Sequence, residues 1–198
     1  MLSHILPIIL VGGKSSRMGI NKAFLKFNKH YFLDYIINIL YNIGFNKVYV
    51  SCNYKNYKEY IKYNFIIDYN NYFNLGPIGA ISSILFGKYY KYYTHILFIP
   101  VDMPFLNKNL LLNLIMHCEK FVTVIYNMYN FPLLLCISNF VKTIIYNLYL
   151  HKYHYLYSIN NLLCNINVRS LEFNSIYNLS FSNINTPLEF KEIFFYNS

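Results

Sequence analysis

The sequence predicts an α/β fold: one three-layer domain over residues 1–198, with a mostly parallel sheet flanked by helices, a Rossmann-like arrangement. Three observations predict it. Short apolar runs alternate with amphipathic stretches from end to end. No internal repeat or Pro/Gly/Ser-rich linker interrupts the alternation. A chain of 198 residues can bury one sizeable core but not two ordinary ones.

Taken in order, the apolar run Ile5 to Val11 reads as a strand that ends at Gly12-Gly13. The amphipathic stretch Phe32 to Ile43 reads as a helix, Lys47 to Ser51 as a strand and Tyr54 to Ile61 as a second helix. Phe65 to Asp68 is a short apolar strand closed by a carboxylate; Gly76-Pro77 then leads into a helix over Ile78 to Lys88. His95 to Val101 is the fourth strand, and the next helix, Lys108 to Cys118, starts after Asn107, which is placed to cap it. Phe121 to Val141 carries no charge and is long enough to span a bilayer. Asn127, Asn130, Pro132 and Asn139 break it, so it reads as two buried strands, Phe121 to Tyr126 and Leu133 to Ile137, with a turn between. Helices are expected over Asn139 to Tyr149 and Leu188 to Phe194, the latter with Thr186 as N-cap and Pro187 at its first position. Leu150 to Ser182 is Asn- and Tyr-rich and too weakly patterned to predict any element.

Composition narrows the function classes. Hydrophobic residues make up 56% and charged residues 13%, which excludes a disordered polyelectrolyte. Lys, Asn, Ile, Tyr and Phe are the residues an A/T-biased gene supplies, and that bias accounts for a net charge of +9 with 23 Tyr and 17 Phe. Lys55, Lys58, Lys62, Lys88, Lys91, Lys142 and Lys152 are scattered singly, without the dense block of a nucleic-acid arm, so no nucleic-acid partner is expected. Cys52, Cys118, Cys136 and Cys164 lack close-pair spacing, which points to buried thiols in a reducing cytoplasm rather than to zinc or disulfides. Ile5 to Val11 is too short and lacks the preceding cations for a signal peptide, and no membrane partner is expected. The six histidines pair with no candidate nucleophile, so covalent catalysis is not expected.

Against that background a Gly, Arg, Pro or Ala is informative. Of 7 glycines, Gly12, Gly13 and Gly19 follow the first strand and Gly76 and Gly79 follow the third. In open α/β sheets ligands bind at the carboxyl ends of the strands, near the point where strand order reverses. Adjacent glycines there allow positive φ and bring backbone N–H groups close to an anion, while Arg17 and Lys22 can neutralise a triphosphate. The string from Leu10 to Ala23 is neither a Walker motif nor a Gly-x-Gly-x-x-Gly turn. Asp102, between Pro100 and Pro104, sits in a stiff turn after a buried strand, suited to Mg²⁺, which takes one or two carboxylates plus substrate phosphates. Asp68, closing an apolar run, suits a turn. Gly76-Pro77-Ile78-Gly79 suits close packing as well as ligand approach.

The string Leu10-Val11-Gly12-Gly13, with Arg17-Met18-Gly19 and Lys22-Ala23, resembles the nucleotidyltransferases that activate sugars, isoprenoid precursors and cofactors, most of all the molybdenum cofactor guanylyltransferases. Val11 replaces their usual Ala. Asp68 with Gly76-Pro77-Ile78-Gly79-Ala80, then Pro100-Val101-Asp102-Met103-Pro104-Phe105, and Asn183 to Phe190 extend the likeness over Leu6 to Leu106 and the 183–190 segment. The resemblance implies transfer of GMP from GTP to the terminal phosphate of molybdenum-molybdopterin, with Arg17, Lys22 and Asp102 catalytic and Mg²⁺ on Asp102. It implies nucleotide contacts from Leu10, Val11, Gly12, Gly13, Lys22, Asp68, Gly76 and Asp102 and from either Ser51 or Asn53. Asn183 and Asn185 fall on the pterin side, and transient contact with molybdoenzymes or other cofactor-synthesis proteins is expected. Phe131-Pro132 stands where the family has a polar-Pro pair, a departure in the acceptor half of the site.

Overall fold

A computed structural model describes residues 2–11, 21–27, 30–68, 76–150, 158–186 and 188–191. Seven strands form one sheet in the order β5-β4-β1-β6-β8-β7-β9: β1 (Ile5–Leu10), β4 (Tyr49–Asn53), β5 (Asn64–Asp68), β6 (His95–Pro100), β7 (Thr123–Tyr126), β8 (Tyr129–Cys136) and β9 (Val168–Leu171). Only β8 runs against the rest, antiparallel to both β6 and β7. A small ribbon, β2 (Lys26–Phe27) with β3 (His30–Tyr31), stands apart.

Strand periodicity divides the core in two. Ile5 and Ile9 of β1 with Leu97 and Ile99 of β6 face α1 (Phe32–Ile43) and α3 (Lys108–Met116). Leu6 and Ile8 with Ile96 and Phe98 face α2 (Pro77–Leu85), α4 (Asn139–Leu150) and α5 (Ile159–Cys164). This is the expected three-layer arrangement, with the central strands β1 and β6 buried on both faces. Pro7 is tolerated in an inner strand because β4 pairing begins only at Ile8, so on that side Pro7 has no registered partner.

Helix α1 matches the expected residues, and its stop has a physical cause. Gly44 adopts φ 113°, Phe45 N–H reaches back to Leu40 O at 3.2 Å, and both Leu40 and Phe45 are buried. Asn107 caps α3 as expected, its Oδ1 accepting from Asn109 N–H at 2.8 Å. The uncharged 121–141 stretch is indeed two paired strands and a tight turn; Pro132 falls where the β7–β8 register is irregular. Among the described residues no helix is long and apolar enough to cross a membrane.

Some expectations are corrected. The 54–61 stretch forms only a 3₁₀ turn, Tyr57–Tyr60, because Tyr60 turns fully inward while Ile61 stays exposed. The weakly patterned 150–182 stretch contains α5, β9 and a 3₁₀ turn, Ser175–Phe181. Strand β9 docks along β7 through Thr123↔Val168 to Tyr126↔Leu171. Its Arg169 forks onto Glu119 with contacts of 2.5 and 2.9 Å. Cys52 and Cys136 are buried, but Cys164 is exposed. Residues 188–191 are helical; the rest of the stretch expected to be helical to Phe194 lies outside the described residues, as does Pro187.

Candidate active site

The chain order makes the site. From β1 it passes through α1 to β4 on one side; after β5 and α2 it returns as β6 on the other, so strand order reverses at β1. The backbone joins the three strand ends there: Val11 N–H donates to Ser51 O at 3.2 Å and Val101 N–H to Leu10 O at 3.0 Å. Leu10 and Val11 therefore stand at the centre of the carboxyl edge. Gly12, Gly13 and Arg17 lie outside the described residues.

Two polar clusters flank that centre. In the first, the Lys22 ammonium lies 3.0 Å from Asp102 Oδ2 and donates to Asn185 Oδ1 at 2.7 Å. Three segments far apart in sequence thus converge on one positive charge, with the Lys22 and Asp102 side chains only 15% and 21% exposed. The Asn185 segment is held there by its neighbours: Ile184, buried, donates its N–H to Asp102 O at 3.0 Å. Glu189 Oε2 accepts from Asn185 N–H at 2.6 Å and Thr186 N–H at 3.3 Å, while Thr186 Oγ1 accepts from Glu189 N–H at 3.2 Å. This is a capping box, and it confirms Thr186 as the N-cap. Asn183 is exposed on the same segment.

In the second cluster Ser51, almost fully buried, donates its hydroxyl to Asp68 Oδ1 at 2.7 Å. Burial raises the Asp68 pKa to about 6, and the Ser51 hydrogen bond opposes that shift only in part. Asn53 is registered against Asp68, but its Oδ1 accepts from Lys55 N–H at 2.9 Å in a local turn. Gly76 has φ 56° and ψ −140°, a conformation L residues avoid, and opens α2 by accepting Gly79 N–H at 3.0 Å. Among the described residues no atom lies within 4 Å of where its Cβ would be, and the backbone angle itself calls for glycine.

Among the described residues no three His, Cys, Asp or Glu side chains gather as a metal cage. Among the described residues Asp102 is a single carboxylate already facing a cation, a donor set that fits a divalent cation completed by phosphate oxygens and not an all-protein site. Sequence reasoning missed Glu189, although the Thr-x-x-Glu spacing signals it, and missed Asn21, the neighbour of Lys22. His95 is buried, its Nε2 between Glu119 O and Val122 O at 3.1 Å each; contrary to the expectation that no histidine meets a candidate nucleophile, its Nδ1 lies 3.4 Å from Cys118 Sγ, a thiol whose pKa burial raises.

The profile of the MobA-like NTP transferase domain matches residues 7–150. The chain belongs to that family. As a nucleotidyltransferase of the MobA-like family it places its polar clusters on the strand ends that flank the reversal point. Solved structures share the fold. The molybdopterin-guanine dinucleotide biosynthesis protein A of Archaeoglobus fulgidus is 20% identical over 95% of both chains, with a TM-score of 0.68. The 4-diphosphocytidyl-2C-methyl-D-erythritol synthase of Anaerococcus prevotii is 13% identical, covers 100% of this chain and 99% of its own, and has a TM-score of 0.62. A Mycobacterium tuberculosis protein solved as a manganese complex is 13% identical over 96% of this chain and 97% of its own, with a TM-score of 0.60. No curated protein gives a significant sequence match.

Proposed function

We propose that this nucleotidyltransferase moves GMP from GTP to the terminal phosphate of molybdenum-molybdopterin and releases pyrophosphate. The observation that carries the reading is the convergence of Lys22, Asp102 and Asn185, which sets a cation and a carboxylate between the nucleotide strand ends and the 183–189 segment. In-line attack by an acceptor phosphate on the α-phosphorus needs position and charge, not a protein nucleophile. Lys22, together with Arg17, would stabilise charge on the α-phosphoryl oxygens and the leaving pyrophosphate. The Leu10 to Gly13 backbone would hold the nucleotide, with Gly76 at the start of α2 a further nucleotide contact, and Asn183 and Asn185 would orient the pterin side. Asp102 would hold Mg²⁺, which when bound neutralises phosphate charge and brings the two phosphates together. The Lys22 ammonium at 3.0 Å supports that role, since the carboxylate already accommodates a positive charge.

Guanine is assigned to Asp68. A carboxylate accepts the N1–H and N2–H of guanine together, whereas cytosine offers its exocyclic amine alone, and the Ser51 hydroxyl fixes the Asp68 carboxyl through Oδ1. Asn53 is the weaker candidate, its carbonyl being engaged in its own turn. The structural likeness to a cytidylyl-type synthase keeps CTP as the competing substrate.

Incubation with each labelled NTP, Mg²⁺ and molybdenum-molybdopterin, read as nucleotide transfer, tests the reaction; transfer from CTP in preference to GTP defeats it. Asp68→Asn should cost GTP roughly 1–3 kcal/mol of affinity and narrow the GTP:CTP preference, because the new amide turns a donor toward guanine's donors. An unchanged preference removes Asp68 from base recognition.

A further inference from the structure

Lys22 is placed by its neighbour. The side-chain amide of Asn21 uses its carbonyl and both its hydrogens: Oδ1 accepts from Ala23 N–H at 3.1 Å, and Nδ2 donates to Glu59 Oε2 at 2.6 Å and to Tyr60 Oη at 2.7 Å. Glu59 and Tyr60 belong to the Tyr57–Tyr60 turn between β4 and β5, the turn that leads into the strand bearing Asp68. Tyr60 is fully buried, and its ring stacks on Phe24 at 5.5 Å. Phe24 belongs in turn to the Lys22–Phe24 3₁₀ turn, which Asn21 opens. Amide, phenol and ring contact together fasten the start of the Lys22 side chain to the β4–β5 connection.

We propose that Asn21, locked to Glu59 and Tyr60, is the positioning residue that sets where the Lys22 ammonium meets the nucleotide phosphates. The Lys22 stem is long and flexible, and fixing its root removes conformations that would carry the ammonium away from Asp102 and Asn185. The contact also explains why a neutral amide stands here. A carboxylate in its place would put one anionic oxygen against Glu59 at hydrogen-bond distance. This inference rests on the reading of Lys22 as the phosphate-binding cation.

The test is a polarity swap, read as Mg·GTP affinity by titration calorimetry at a temperature where circular dichroism shows every variant folded. Asn21→Asp keeps the shape but opposes Glu59, and should weaken binding about tenfold or more. Adding Glu59→Gln restores the bond with its direction reversed: the glutamine amide donates to the introduced carboxylate, and the Tyr60 hydroxyl can donate to it as well. Affinity should return to within about threefold of wild type. In a Lys22→Ala background Asn21→Asp should add no further loss, since the root of a missing ammonium no longer matters. Tyr60→Phe, which keeps the ring contact, should weaken binding in the same direction and serves if Asn21→Asp does not fold. Wild-type affinity in Asn21→Asp, no recovery in the double variant, or a loss that persists without Lys22 overturns the inference. If Lys22→Ala itself binds Mg·GTP normally, the reading of Lys22 fails, and the inference with it; if only Lys22→Ala is impaired, the inference alone fails.

Discussion

At Asp68 burial works against the charge that base recognition requires. Its carboxyl titrates at about 6 in the folded chain against 3.8 ordinarily, so between those values the native state holds a proton that the unfolded chain has lost. Stability from this group therefore falls as pH rises from about 4 to 6, and the full cost of an ionised Asp68 is present above that window. Asp68→Asn, which keeps an acceptor for Ser51, should be the more stable protein at pH 7–8 by roughly 1–3 kcal/mol, with the difference vanishing below pH 4. Urea unfolding across that range measures it, and a gap that does not change with pH contradicts the assigned cause. Function moves the other way: wild-type affinity for Mg·GTP should decline as pH falls below about 6, where one acceptor oxygen gains a proton, whereas the Asn variant should show no such step. Asp102→Asn should fold normally yet turn over on the order of a thousandfold more slowly; near-full activity at saturating Mg²⁺ would remove the metal role. Both carboxylates were legible because acids are scarce in this chain and these two close strands. The Ser51–Asp68 bond was not, since strand spacing alone does not choose between Ser51 and Asn53 for the face that meets Asp68.

Elements with their own stop and start chemistry were read most closely. Helix α1 has an amphipathic face, with Leu33, Ile36 and Leu40 buried, and a glycine in the left-handed region at its end, so local sequence sets both face and boundary. Strand β9 has neither. Val168-Arg169-Ser170-Leu171 buries only Leu171, and what makes it a strand is the row of partners that β7 offers across 45 residues of sequence (168 − 123). The Tyr57–Tyr60 turn was misread for a related reason: Tyr60 is claimed by the buried contact with Phe24 and by Asn21, not by a helical stripe. The capping box at Thr186 makes a prediction at this scale. Glu189→Ala should cost about 1 kcal/mol of stability. It should also weaken Mg·GTP binding, because the backbone that aims Asn185 at Lys22 loses its 2.6 Å anchor. Glu189→Gln, which can still accept, should be milder in both measurements; if both variants bind like wild type, Asn185 needs no such anchor.

Across the whole molecule the basic, aromatic composition is partly matched within itself. Lys62 lies over the ring of Tyr63 at 4.8 Å, Lys120 over Phe121 at 4.9 Å, Lys142 over Phe86 at 5.3 Å and Lys88 over Tyr89 at 5.4 Å. Lys55, Lys58 and Lys91 lie outside the Lys22–Asp102–Asn185 cluster, so Lys-to-Ala changes there should leave GTP binding and turnover unaltered while Lys22→Ala weakens both. Equal losses at all four positions would indicate a diffuse polyanion surface instead. The sheet also has two outer strands, and β9 is one of them. Its short length and the Arg169 fork onto Glu119 place a charged clasp beside a row of backbone groups that could pair with another strand. Replacing Arg169 with valine would leave Val168 to Leu171 as an unbroken β-prone edge next to the uncharged β7–β8 ribbon. Sedimentation of that variant should reveal concentration-dependent lateral self-association; a variant that sediments like wild type at every concentration would deprive the clasp of that part in a chain with few charges to spare.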